Sequence, residues 1–291
     1  METLGIEPLM VVGALGGGIL GAAMGALPAI TLWGAVLMIT GLAGLVGNDP
    51  AMVWNIGFNP LFGAHMVYAG GAAAAAYAWS RGVIDTGLDI LKPLSGFGRP
   101  DVLLVGGVFG VVGMLLERLG TGIGIPTDNV ALSVVITGWL ARLLFDGQWR
   151  SNRKKESANE DENWWPNGKE LGFLVVLGGG VGLASAVAAV KMGDILIPFG
   201  LALLFLLYLQ MGFNGAPWHH IVIISGLAAL RGNGSINAII WAVVLGILVA
   251  IIASCINKLW ISQTNSYIDP PVTSIAIGTS LIIALSSAKL L

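Results

Sequence analysis

The sequence predicts an all-α, polytopic membrane fold of about ten transmembrane helices arranged as two inverted five-helix repeats. Three observations carry that prediction. Apolar residues make up 56% of the 291-residue chain and charged residues only 10%, with a mean hydropathy of +0.85. A water-facing globular surface normally needs about 25% charged residues. Charge-free runs cover residues 8–48, 50–80, 171–190, 195–230, 232–257 and 270–288, and each is long enough for one or two spans. Short motifs from the first half also recur in the same order in the second.

Glycine and proline punctuation divides the runs. The first half gives spans at 9–26, 29–46, 61–80, 101–119 and 128–146. The second gives 171–190, 194–211, 217–231, 236–258 and 270–289. Helices are required because an open strand edge would leave backbone groups unpaired in hydrocarbon. Residues 1–146 form the first membrane repeat, 147–169 a charged linker, and 170–291 the second repeat. A third of all charged residues fall between 147 and 170, including Arg150, Arg153, Lys154 and Lys155. The N-terminus lacks the positive region of a cleavable signal, so the first span is expected to be retained.

Lys and Arg near the span ends set the orientation. Arg81, Lys92, Arg99, Arg142, Arg150, Arg153, Lys154 and Lys155 fall on one side, and Arg118, Lys191, Arg231 and Lys289 on the other. The linker is therefore expected in the cytoplasm, with both termini outside the cytoplasmic (inner) membrane. Trp54, Trp79, Trp139, Trp149, Trp164, Trp165 and Trp260 fit an interfacial aromatic belt, and His219 beside Trp218 reads as a headgroup anchor. Gly13, Gly17, Gly21 and Gly25 form a four-residue stripe suited to close helix packing, echoed by Gly178, Gly182 and Ala186 and by Ala242, Gly246, Ala250 and Ser254. Cys255 sits in an apolar run as a small core residue.

The duplication is read from ordered matches. Gly16-Gly17-Gly18 recurs as Gly178-Gly179-Gly180, and Gly57-Phe58-Asn59-Pro60 as Gly212-Phe213-Asn214-Gly215. That register sets His65 on His220; near the fifth spans, Asp128 falls on Asp269 and Ser133 on Ser274. A copied unit with an odd number of spans inserts upside down, as in many secondary transporters.

Polar residues within apolar runs tend to mark function. Asn59, His65, Asn214 and His220 stand where glycine and proline unwind a helix entrance. Such an entrance offers backbone N–H groups and a positive dipole end to an anionic solute, with the imidazoles as donors or proton acceptors. Asp128, Ser133, Asp269 and Ser274 are candidates for coupling to Na⁺ or H⁺; the plainer reading makes each Asp a helix N-cap. Phosphate-binding loops, Cys/His metal spacings and nucleophile elbows are absent, so neither an enzyme nor a nucleotide-driven pump is expected, and no cofactor beyond the coupling ion. The net charge of −2 argues against a nucleic-acid partner.

Two stretches resemble the large permease subunit of tripartite tricarboxylate transporters. One is Gly21-Ala-Ala-Met-Gly25-Ala-Leu27-Pro28, followed by Asp49-Pro50, Gly63 and Tyr68-Ala-Gly70-Gly71. The other is Asp101 to Gly120, with Phe109-Gly110, Gly113 and the trailing Arg118. The resemblance implies carboxylate uptake driven by an ion gradient, with a small membrane subunit and an extracytoplasmic solute-binding protein as partners. It also implies a substrate-proximal turn at Gly25, Leu27 and Pro28. Ala29 stands where that family has glycine, and this chain is shorter.

The expected function is an ion-coupled secondary transporter of a small anionic, carboxylate-type solute, embedded in lipid and able to associate with copies of itself. The alternatives are a channel or passive pore of the same architecture, and a non-transporting subunit of a larger membrane complex.

Overall fold

A computed structural model describes residues 5–47, 55–59, 62–147, 164–261 and 264–291. Trp54, Asp49, Pro50, Pro60, Trp149 and most of the charged linker, with Arg150, Arg153, Lys154 and Lys155, lie outside them. The described chain is helical, without strands, and an isolated bridge joins Gly87 to Ser266.

A helix occupies each position expected from the sequence. In the first half these are α1 (Pro8–Met24), α2 (Ala26–Leu45), α3 (Ala64–Ser80), α4 (Pro100–Gly122) and α5 (Asn129–Ala141), which continues as a π turn over Arg142–Asp146. The second half has α6 (Gly168–Met192), α7 (Leu196–Leu204, resumed at Leu207–Gln210), α8 (His219–Arg231), α9 (Ile236–Ile256, with a π turn at Asn257–Ile261) and α10 (Pro270–Ser287). Six of them, α2, α4, α5, α6, α9 and α10 with their π turns, are long and apolar enough to cross a membrane, as a multi-pass membrane protein requires. Helices α1, α7 and α8 are apolar but shorter. The 17 residues of α3 would extend about 25 Å.

Local chemistry explains the boundaries. Proline begins α1, α4 and α10, where its missing N–H costs nothing. Asp128, Asn167, Ser235 and Asp269 cap α5, α6, α9 and α10 with side-chain oxygens. Gly25 alone separates α1 from α2. Its φ of +89° suits glycine, and a Cβ there would come 2.8 Å from the Leu91 carbonyl. The 81–99 segment leans on this elbow, and Leu27 N–H donates to the Ile90 carbonyl at 3.0 Å.

Each half builds a three-helix core by backbone approach at small residues. In the first half Gly18 of α1 meets Gly106 of α4 and Gly70 of α3, and Gly21 meets Val67. Gly113 of α4 lies so close to α3 that an added Cβ would sit 1.7 Å from the His65 carbonyl. In the second half Gly178 and Gly182 of α6 meet α9 at Gly246 and Ala242, and Ser225 of α8 donates to the Ala242 carbonyl at 2.8 Å. Ala14, Gly17, Gly18, Gly21 and Ala22 are buried, so the predicted stripe packs, displaced slightly from Gly13.

The halves meet through α2 on α7 and α5 on α10. Gly34 faces the Gly200 carbonyl and Gly200 faces the Gly34 carbonyl, while Gly41 lies by Asp194 and Ile197 and Thr31 accepts from Gln210 at 2.6 Å. These pairings make α2 and α7 antiparallel. Thr127 donates to the Ala276 carbonyl at 2.7 Å while Gly138 lies by Tyr267 and Ile268, so α5 and α10 are antiparallel too. Between them lies an apolar cluster including Trp33, Tyr68, Phe199, Leu203 and Val222.

Gly113→Ala should lower the unfolding temperature in detergent, reflecting a loss of about 1–3 kcal/mol from overpacking against backbone. Gly16→Ala, where nothing lies within 4 Å, should leave it unchanged.

Candidate functional site

The histidines occupy matching places. His65 is the second residue of α3 and His220 the second of α8, and both are buried. Their Nδ1 atoms are buried without a hydrogen-bond partner. Neither α3 nor α8 has a side-chain cap, and neither carries proline in its first turn. At both helix entrances that hold buried imidazoles, the N-cap residue thus offers no side-chain acceptor to the first-turn N–H groups.

Each histidine also has an ion pair nearby that draws on the helix preceding the fifth of its half. In the first half Arg118, near the end of α4, lies 3.5 Å from Glu117. In the second, Lys258 in the π turn of α9 pairs with Glu170 of α6 at 2.5 Å, and Ser254 donates to the same carboxylate at 2.6 Å. His220, Glu170, Ser254, Asn257 and Tyr267 line a partly open cleft of about 380 Å³. Its remaining walls are mostly apolar, from Phe173, Leu174, Leu177, Ile221 and Ala250.

Asp128 and Asp269 both serve as N-caps, accepting from Ala131 N–H at 2.9 Å and Val272 N–H at 2.7 Å. Ser133 and Ser274 turn back on their own helices, donating to the carbonyls of Val130 and Pro271 at 2.8 and 2.7 Å. The four residues thus repeat one local geometry, with their oxygens engaged by the backbone. Asp269 has a further partner, because the Tyr68 hydroxyl of α3 donates to its second carboxylate oxygen. This buried bond crosses from one half to the other, and it fixes the cap of α10 behind Tyr267 and Pro270, which line the cleft.

The remaining candidates separate. Gly25 is the buried α1–α2 elbow and Pro28 lies half-buried in the first turn of α2. Asn59 is half-buried and its amide donates to the Ile56 carbonyl at 2.9 Å. A Cβ on Gly63 would contact both the His65 ring and the Asn59 carbonyl, so the predicted pairing of Asn59 with His65 is close in space. Asn214 is exposed, in the irregular stretch before α8. His219, expected as a headgroup anchor, is buried, its ring 5.8 Å from that of His220 and 6.5 Å from Phe199.

Arg142 departs most from the sequence expectation. It stands among the span-end charges that set the orientation, yet it is 1% exposed. Its guanidinium donates to Ser266 Oγ (2.8 Å), Thr264 Oγ1 (2.9 Å) and the carbonyls of Trp260 and Ser266 (2.8 and 2.6 Å). Asp146, one turn on, accepts from Asn265 N–H and Ser266 Oγ, both at 3.1 Å. The π turn ending α5 thereby clamps the segment leading to α10. Trp139 and Trp260, expected in an interfacial belt, stack edge to face at 5.1 Å, and the Arg142 guanidinium lies 5.3 Å from the Trp139 ring centre. A preference of loop charges for the cytoplasm says nothing of such a residue, and only the buried acceptors reveal it.

Arg142→Ala should destabilise the protein by about 3–5 kcal/mol, because the acceptors stay buried. Arg142→Lys should fall between, since an ammonium cannot match the guanidinium fork. Tyr68→Phe should cost about 1–3 kcal/mol, all read from thermal unfolding by tryptophan fluorescence.

No curated protein and no solved structure matches the chain. A family model does, and it matches twice, over residues 1–148 and again over 146–291, so each half answers to the same pattern. The family carries the description "Family of unknown function (DUF7973)", and the chain belongs to it.

Proposed function

We propose that the protein is an ion-coupled secondary transporter of a small anionic, carboxylate-type solute, built from ten spans in two inverted five-helix repeats and working by alternating access. The observation that carries this reading is the packing of equivalent helices. With one family pattern matching each half, α2 corresponds to α7 and α5 to α10, and both pairs run antiparallel. A two-fold axis in the membrane plane produces that arrangement, and it gives one chain two related conformations open to opposite faces. The four shorter helices complete the ten by tilting less or by drawing on flanking turns.

The inversion sets His65 and His220 toward opposite faces, each at an uncapped helix entrance beside an ion pair. These paired entrances are the proposed solute contacts, with Asn59 and Asn214 on the approach and Gly25 and Pro28 at the elbow behind. Asp128, Ser133, Asp269 and Ser274 are proposed to act in coupling by holding the α5 and α10 entrances, rather than through free oxygens. The coupling ion is H⁺ or Na⁺. The solute is carried unchanged, and the 147–169 linker lies in the cytoplasm with both termini outside. Partner subunits of the kind used by tripartite transporters are not required by this reading.

The channel alternative predicts flux that ignores the ion gradient. In proteoliposomes, gradient-driven accumulation of carboxylates should fall about tenfold or more in His65→Ala and His220→Ala, the loss expected for a buried hydrogen bond to solute. Cysteines placed by Asn59→Cys and Asn214→Cys should label from opposite faces. Labelling from one face would remove the inversion and the mechanism with it.

A further inference from the structure

We propose that the cleft over His220 binds a small monocarboxylate with an apolar body, together with one proton taken up by His220. The proposal rests on the carrier reading for its biological use, though binding itself does not require transport. Three observations on the cleft lead to it.

The first is shape and lining. A space of about 380 Å³ lies within the range of small-molecule sites, and most of its wall is aliphatic or aromatic, from Phe173, Leu174, Leu177, Ile221 and Ala250. A polyanion such as a tricarboxylate or a phosphate ester would bury several charges against that wall, at a cost nothing there offsets. One carboxylate attached to an alkyl or aryl body matches it.

The second is where a single carboxylate would sit. The cleft meets the entrance of α8, which lacks a side-chain cap, and His220 there is 3% exposed with Nδ1 unpartnered. Glu170 and Ser254 line the cleft, and Glu170 is engaged by Ser254 and, from outside the lining, by Lys258. A carboxylate at the helix entrance faces Glu170, whose charge Lys258 offsets.

The third is charge balance. Glu170 and Lys258 cancel, so an added carboxylate would bring one uncompensated negative charge into a largely apolar site. The titratable groups beside His220 or lining its cleft are His219 on its own helix, 5.8 Å between rings, Glu170 from α6, which Lys258 of α9 pairs, and Tyr267 from the turn before α10. Within this set the His220 imidazole is the base that lines the cleft, and its Nδ1 is left without a partner, so it is the group placed to accept a proton. A proton on His220 restores neutrality and supplies a donor to the ligand. Solute and proton therefore enter as a neutral pair, and affinity falls as pH rises.

Calorimetry on the detergent-solubilised full chain, repeated in buffers of different ionisation enthalpy, counts protons bound per ligand. Acetate, butyrate, hexanoate and palmitate serve as probes. Expected are one proton per carboxylate and an affinity that tightens about fourfold per methylene until the cleft is full. Palmitate should then bind no better than hexanoate, which separates a water-borne solute from a bilayer fatty acid. His220→Gln should bind without the proton, Leu177→Trp should abolish binding by filling the space, and Lys258→Arg should restore what Lys258→Met loses. Unfolding temperatures check that each variant is folded. Binding without proton uptake in the unaltered chain, unchanged binding in Leu177→Trp, continued tightening to palmitate, or no saturable binding to any probe would each overturn the proposal. Proton-linked binding without uptake into proteoliposomes would sustain it and remove the carrier reading instead.

Discussion

The reciprocal seat of Gly34 on Gly200 is the contact on which the rest of the architecture depends. Each glycine presents its face to the other's carbonyl, and an added Cβ would lie 2.7 Å from the Gly200 oxygen or 2.5 Å from that of Gly34. Lipid tails offer helices no hydrophobic reward for associating, so close backbone approach has to supply the attraction. A methyl group at either glycine would push α2 from α7 and open the cluster of Trp33, Phe199 and Leu203 behind them.

Inside each half the same device recurs with different residues. Gly18, Gly70 and Gly106 let three helices converge in the first half, and Gly178, Gly182 and Gly246 do so in the second. The sequence made this legible as spaced small residues, and the helix positions as charge-free runs cut by proline, glycine and capping side chains. The duplication was legible too, because Asp128 with Ser133 and Asp269 with Ser274 are local motifs whose geometry depends on a few neighbouring residues. Those caps fold alike wherever they stand.

What escaped the sequence is what lies far apart along it. Arg142 looks like any loop arginine until the 260–266 segment is folded over it, and Tyr68 looks like part of a Tyr-Gly-Gly resemblance until Asp269 is set beside its hydroxyl. Both partners are more than a hundred residues away. The cleft was invisible for the same reason, since its walls come from the starts of α6, α8 and α10 and the end of α9. Asn214, matched to Asn59 by a tetrapeptide, lies exposed while Asn59 is half-buried. Sequence register conserves position along a repeat more faithfully than it conserves surroundings.

The departures from symmetry carry more information than the symmetry itself. In the register that sets His65 on His220, Tyr68 falls on Ile223, so Asp128 has no phenol to match the one on Asp269. The first half has a long 81–99 segment where the second has a short turn at 232–235, and the second has 262–269 where the first has 123–128. These two additions meet at the Gly87–Ser266 bridge, beside the Arg142 clamp. The extra contacts are made by one half's entrance alone. Tyr68 ties the α10 cap to α3, so the bond that joins the halves stands directly behind Tyr267 and Pro270, which line the cleft.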